Sequence, residues 1–185
     1  MDDLSNSRIE GSPHTTIVHV NGQSIFVRRE FPEAPIIGVG AVVLDGDHVL
    51  LVRRGQAPLK GEWSIPGGAL ELGETLEHGV QREIAEETGL NVEVVNLVEV
   101  IDRIVFAPIE NTPGTKMAPA RVQYHYVLVD YLCVPTGGDL VCGSDTTEAR
   151  WVQRAELGQY GLAPMTISVI EKAFEMPQNG RHREA

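Results

Sequence analysis

Aromatic residues make up only 5% of this 185-residue chain and cysteine occurs just twice. No apolar run approaches the ~20 residues of a membrane span; the longest include Ile36–Leu44 and Tyr126–Val129. Cys133 and Cys142 have neither the spacing of a metal site nor the number for a disulfide framework. Met1 to Ser7 is acidic and polar, without the basic and apolar regions of a secretory signal. These absences lead to the expectation of a cytoplasmic protein. Basic residues are scarce as well, with 15 Lys and Arg against 26 Asp and Glu, a formal net charge of −11. A surface that negative repels nucleic-acid backbones. Neither nucleic acid nor membrane is therefore expected as a partner. Small phosphate ligands stay open, provided a divalent cation stands between like charges.

What is present is enough apolar residue, 42%, for a real core. Residues 1–14 read as a flexible leader. Thr15–Val20 and Ser24–Val27 flank Asn21-Gly22, the pattern of a β-hairpin. With the proline-broken linker to residue 35 it makes an accessory unit, 15–35. The main domain runs over 36–176, and 177–185 is a tail. Within the domain, strands are expected at Ile37–Leu44 and Val49–Arg53, then a Gly- and Pro-rich loop, Ala57–Gly68, onto which Trp63 and Ile65 fold. Thr75 as N-cap and Gly89 as C-cap bracket a helix. Long strands follow at Val92–Phe106 and Val122–Val134, joined by the Ala107–Arg121 loop with three prolines. Gly137-Gly138 is read as a turn, Ala149–Val152 as a strand, and Met165–Glu175 as a final helix opened by Pro164. This order predicts a mixed α/β fold with a curved sheet between helices.

The acid is concentrated. Glu71 to Leu90 holds six glutamates and one arginine, which is −5 of the −11. At about 100° per residue, Glu83, Glu86 and Glu87 fall within one ~100° arc of the helix, bordering the stripe of Leu76, Val80 and Ile84. Gly79 lies on the same arc and leaves room for another backbone to come close. Crowded, partly desolvated carboxylates repel one another unless a cation neutralises them. Their hard oxygens suit Mg²⁺, or Mn²⁺. Acidic helices are common, however, and most such runs are simply solvated.

The surrounding spacing is more specific. Gly68, five residues, Glu74, seven residues, Arg82-Glu83-Ile84, one residue, Glu86-Glu87, one residue and Gly89-Leu90 resembles the Nudix box at all nine specified positions. Chance agreement at a given start is on the order of one in a billion. Pro66-Gly67-Gly68, Arg53-Arg54 and Glu148-x-x-Trp151 are also similar to the family. The resemblance implies a mixed sheet sandwiched between helices and hydrolysis of a nucleoside diphosphate linked to another moiety. It implies metal ligation by Glu83, Glu86, Glu87 and the Gly67 carbonyl, with Arg82 holding a box carboxylate and Glu74 bracing the loop. For the general base it leaves Glu83 or an acid outside the box, Asp145 or Glu148. Each of the latter is equally readable as a solvated loop acid.

Arg53 and Arg54 are candidates for contact with the substrate's phosphates. Strand alternation sends them to opposite faces. Trp63 either stacks on a base or packs beneath its loop. Downstream of the box the submotifs of several substrate classes are missing or offset: Val105-Phe106 stands where dinucleoside polyphosphate hydrolases carry a tyrosine, and Pro108 is only near the position of one ADP-ribose group. The stretch from Arg53 to Ala69 most resembles bacterial ADP-ribose-pyrophosphatase-type members. The alternatives are a nucleoside triphosphate pool-cleaning enzyme of the 8-oxo-dGTP type and a non-catalytic nucleotide sensor. The hairpin at Thr15–Val27, with an unpaired edge, raises the prospect of a homodimer.

Overall fold

The computed structural model describes residues 15–20, 23–55, 59–107, 120–143 and 145–178. The leader 1–14, the Asn21-Gly22 turn, positions 108–119 of the long loop and the tail from 179 lie outside the described residues. Strands β1 (Thr15–Val20) and β2 (Gln23–Arg28) pair antiparallel as a two-stranded sheet of their own, with Val20 opposite Gln23. The main sheet is built from β3 (Ile36–Asp45), β4 (His48–Arg54), β5 (Trp63–Ser64), β6 (Gly67–Ala69), β7 (Leu90–Phe106), β8 (Val122–Gly138) and β9 (Thr146–Gln153). Its order is β5-β4-β3-β8-β7, with β6 on β3 and β9 on β4. β3 and β8 are parallel and the other pairs antiparallel, so the sheet is mixed.

Two helices cover it, α1 (Leu76–Thr88) and α2 (Pro164–Phe174). Val80 and Ile84 of α1 pack with Val39, Ala41 and Val43, while Val169, Ile170 and Ala173 of α2 pack with Val42 and Leu44. Neighbouring residues of a strand point to opposite faces. The helices therefore sandwich the sheet, each closing its own apolar layer. α1 begins where Thr75 caps the His78 N–H and ends at Gly89, whose φ of 71° is left-handed. Pro164 opens α2, where its missing N–H is harmless.

Several boundaries differ from the sequence reading. The Ala57–Gly68 loop contains two short strands, because Gly67 and Gly68 pair with Gly40 and Val39 and Trp63 pairs with Arg53. A β-carbon on Gly67, at φ 150°, would lie 2.2 Å from the Val39 carbonyl oxygen, so only glycine admits this approach. Gly137 and Gly138 are no turn; they extend β8 against Asn91 and Leu90. β9 is longer than expected, and a 3₁₀ segment at Arg154–Gln159 went unread. Gly79 is met by Leu70 and Glu74 side chains, and not by a second backbone.

Ile84 is fully buried, at 0% exposure, between α1 and the sheet. Truncating Ile84→Ala removes apolar contact and leaves a cavity, a loss of about 2–5 kcal/mol. Denaturant unfolding should show this as a lower midpoint with an unchanged slope.

Candidate active site

Arg82 organises the acidic helix. Its guanidinium carries five N–H donors in a fixed fork, and the structure supplies five acceptors. Nε and Nη2 donate to the two carboxylate oxygens of Glu74, at 3.1 and 2.7 Å. Nη1 reaches Glu83 at 2.9 Å and Glu86 at 3.3 Å, and Nη2 also reaches the Ala69 carbonyl at 3.1 Å. Glu74 accepts the Glu71 N–H in addition, at 2.7 Å, which closes the turn before α1. The guanidinium holds the Glu74 carboxyl below its usual range, and Glu74 in turn raises the already high pKa of Arg82.

Next to this clamp the acids are shifted the other way. Glu83 keeps only 14% of its side chain exposed, whereas Glu86 keeps 61%. Burial pushes the pKa of Glu83 up, although Arg82 opposes it. Glu87 is pushed up to about 7 by burial, helped by the negative charges of Glu83 and Asp145 and opposed by the Gly67 N–H and by Arg54. The Glu83 carboxyl carbon lies 2.3 Å from where a Gly68 β-carbon would stand. Any side chain at Gly68 would displace the Glu83 carboxylate from its present position. Ala41 N–H bonds to Pro66 and Leu70 N–H to Ile37, so by antiparallel alternation Gly67 turns its N–H and carbonyl away from β3. The N–H meets Glu87 Oε2 at 2.9 Å.

The end of α1 is held by the loop that carries Asp145, a contact the sequence does not announce. Thr146 Oγ1 and the Gly143 N–H both donate to the Glu87 carbonyl at 2.9 Å, and the Val141 N–H donates to Thr88 at 2.9 Å. These bonds satisfy carbonyls that a helix end leaves open. A β-carbon on Gly143 would lie 1.8 Å from the Glu86 carbonyl oxygen. The signal that could have found it was a glycine beside Asp145 at the sequence distance of a returning strand.

The outside candidates separate. Asp145 acts electrostatically on Glu87, and its carbonyl accepts the Gly55 N–H at 2.8 Å. Glu148 faces Arg53 across the β4–β9 ladder and is held by Arg53 at 2.8 Å and Arg150 at 2.6 Å, which keeps its pKa low. Arg53 also donates to the Gly61 carbonyl at 2.8 Å. Arg54, on the other face as alternation requires, is the arginine whose charge reaches Glu87. Trp63 packs edge-on against Tyr160 at 5.2 Å, with Arg150 over its ring at 5.6 Å.

Among the described residues, no three carboxylate, imidazole or thiolate side chains close a ready-made metal cage. Mg²⁺ rarely asks for one: it keeps several waters and takes one or two carboxylates together with substrate phosphates. Glu83 and Glu87, desolvated side by side against Gly67 and Gly68, fit that demand. A carboxyl whose folded pKa lies above its unfolded value adds stability that is full below the unfolded value and is lost as pH rises through the folded one. For Glu87 that window runs from the ordinary 4.5 to about 7. Without divalent ions, thermal stability should fall across this window, and Glu87→Gln should flatten the fall and melt higher than the parent at pH 8. Melting curves of both proteins against pH check this.

Comparison with known proteins agrees with this geometry. Residues 34–172 match the NUDIX domain family. The chain is 36% identical over 132 residues to a MutT-like protein of Streptomyces ambofaciens, covering 71% of this chain and 72% of that one. It is 32% identical over 118 residues to an ADP-ribose pyrophosphatase of Methanocaldococcus jannaschii, 63% of this chain and 61% of the relative. An 8-oxo-dGDP phosphatase, NUDT18, of Homo sapiens shares 29% over 140 residues, 74% of this chain but 38% of the relative. The chain thus spans less than two thirds of the length of the last two. A solved MutT NUDIX hydrolase from Burkholderia pseudomallei superposes with a TM-score of 0.60 at 29% identity, covering 76% of this chain and 98% of that one. With its box folded as the clamp and carboxylates described above, the chain belongs to the NUDIX family.

Proposed function

We propose that the protein hydrolyses a nucleoside diphosphate linked to another moiety, water attacking one phosphorus of the diphosphate, with ADP-ribose or a similar nucleotide sugar as the leading substrate. The observation that carries this reading is the pair of desolvated carboxylates, Glu83 braced by Arg82 and Glu87 held by the Gly67 N–H, with pKa values raised above the ordinary range. The likeness to an ADP-ribose pyrophosphatase supports the substrate. Mg²⁺ is the cofactor, with Mn²⁺ as its substitute, held by Glu83, Glu86, Glu87 and the Gly67 carbonyl. When bound, it neutralises the diphosphate and acidifies a water molecule.

The chain's own groups have distinct tasks. Arg82 and Glu74 hold Glu83 in place and release no proton. Arg54 receives negative charge from the diphosphate. The proton of the attacking water goes to the box, at Glu83, with Asp145 the acid outside the box, whose charge acts on Glu87. Glu148, tied down by two arginines, is a poor proton acceptor and instead positions Arg53. The MutT-like relative favours a second reading, pyrophosphate release from a nucleoside triphosphate. The domain occupies 36–176, the chain stays in the cytoplasm, and the hairpin, a two-stranded sheet by itself, makes a homodimer contact because such a sheet alone is marginal in water.

Purified protein with Mg²⁺ and ADP-ribose should release AMP and ribose 5-phosphate. Pyrophosphate release from triphosphates alone would favour the second reading, and silence towards both would leave a nucleotide sensor. Arg82→Gln should lower kcat/KM about 10–100-fold by letting Glu83 swing, and Glu83→Gln should cost at least as much. Asp145→Asn should be the more damaging change beside Glu148→Gln, a ranking read from the same assay. Sedimentation over a range of concentrations tests the dimer, and a monomer throughout would exclude it.

A further inference from the structure

A buried polar atom with no hydrogen-bond partner bears its whole desolvation cost, so native structures hold few of them and each calls for an explanation. Among the described residues two side-chain atoms are in this state, Arg54 Nε and Ser64 Oγ. They lie close in the fold. β4 and β5 pair with Val52 opposite Ser64 and Arg53 opposite Trp63. Residues opposite one another share a face, as do residues two apart on a strand. Arg54 is thus the diagonal neighbour of Ser64 on one face, within reach of a long side chain.

The other face of this strand pair is already committed. There Arg53 bonds to Gly61 and Glu148, and Trp63 packs on Tyr160. The face of Arg54 and Ser64 continues through Leu50, which packs in the layer of Val80 and Ile84 from α1. It is the face of the acidic helix, and the charge of Arg54 is felt there by Glu87. A guanidinium Nε–H only donates, and a serine hydroxyl supplies one O–H donor. Two donors beside a positive charge match an anionic oxygen, which binds such groups by short, charge-assisted bonds.

We propose that Ser64 and Arg54 form a polar recess that holds a phosphate oxygen of the substrate, and that Ser64 is a residue setting substrate affinity. The inference rests on the diphosphate reading above and deepens it. Ser64 touches an oxygen that does not react, so its bond is equally strong before and during the chemical step. Such a contact moves KM and leaves kcat alone.

The test compares the parent protein with Ser64→Ala. Inorganic pyrophosphate is titrated into each by calorimetry in Mg²⁺, ADP-ribose kinetics are measured, and both proteins are melted without ligand. The expected result is about tenfold weaker pyrophosphate binding and a KM raised by a similar factor with kcat near the parent value. The ligand-free melting temperature should be unchanged or higher, since the substitution deletes an unpartnered buried hydroxyl. Equal pyrophosphate affinity in the two proteins overturns the proposal, as does a parent that binds no pyrophosphate. A lower melting temperature with unchanged KM also overturns it, because the hydroxyl then serves the protein's own packing. If the parent cleaves no ADP-ribose but binds pyrophosphate through Ser64, the substrate reading fails and the recess stands.

Discussion

The bidentate pairing of Arg82 with Glu74 is the interaction on which the site depends. A helix carrying Glu83, Glu86 and Glu87 on one side would splay under its own repulsion if nothing fixed the carboxylates. Arg82 fixes two of them from within, using all five donors, two on Glu74, one each on Glu83 and Glu86, and one on the Ala69 carbonyl, while the Gly67 N–H holds Glu87. Because Glu74 and Ala69 precede the helix and Glu83 lies on it, the same guanidinium joins loop to helix. Lysine, a point charge with three rotatable donors, lacks the planar fork this requires.

Around that clamp the glycines are where two backbones or a backbone and a carboxylate come closer than a β-carbon allows. Gly68 lies under the Glu83 carboxylate, Gly67 against Val39, and Gly143 against the Glu86 carbonyl. The Gly67 contact seats β6 on β3, and the Gly143 contact holds the last turn of α1. Within this frame Glu83 and Glu87 have pKa values raised by burial. The apolar layers supply the rigidity: Val80 and Ile84 pin α1 to one face while α2 closes the other.

Much of this was legible before folding. The caps of α1, its acidic arc and buried stripe, the box spacing and the proline that opens α2 are all local, set by separations of three, four or a few more residues. The strand pairing of Gly67 and Gly68 was not legible, because glycine-rich segments read as loops until a partner strand is known. The contacts of Gly143 and Thr146 were missed for the same reason: they lie in what meets these residues across the fold.

The sequence by itself determined a capped helix with three carboxylates on one arc, since helical periodicity places them without outside help, and the box spacing added the arginine and the braced loop by resemblance to the family. Only the tertiary structure decided which acids and cations stand together. It drew Arg53 and Glu148, 95 residues apart, into a pair with each other, and left Arg54 beside Glu87. The physical reason is that strand partners and register come from the packing of whole layers, which no short stretch of sequence encodes.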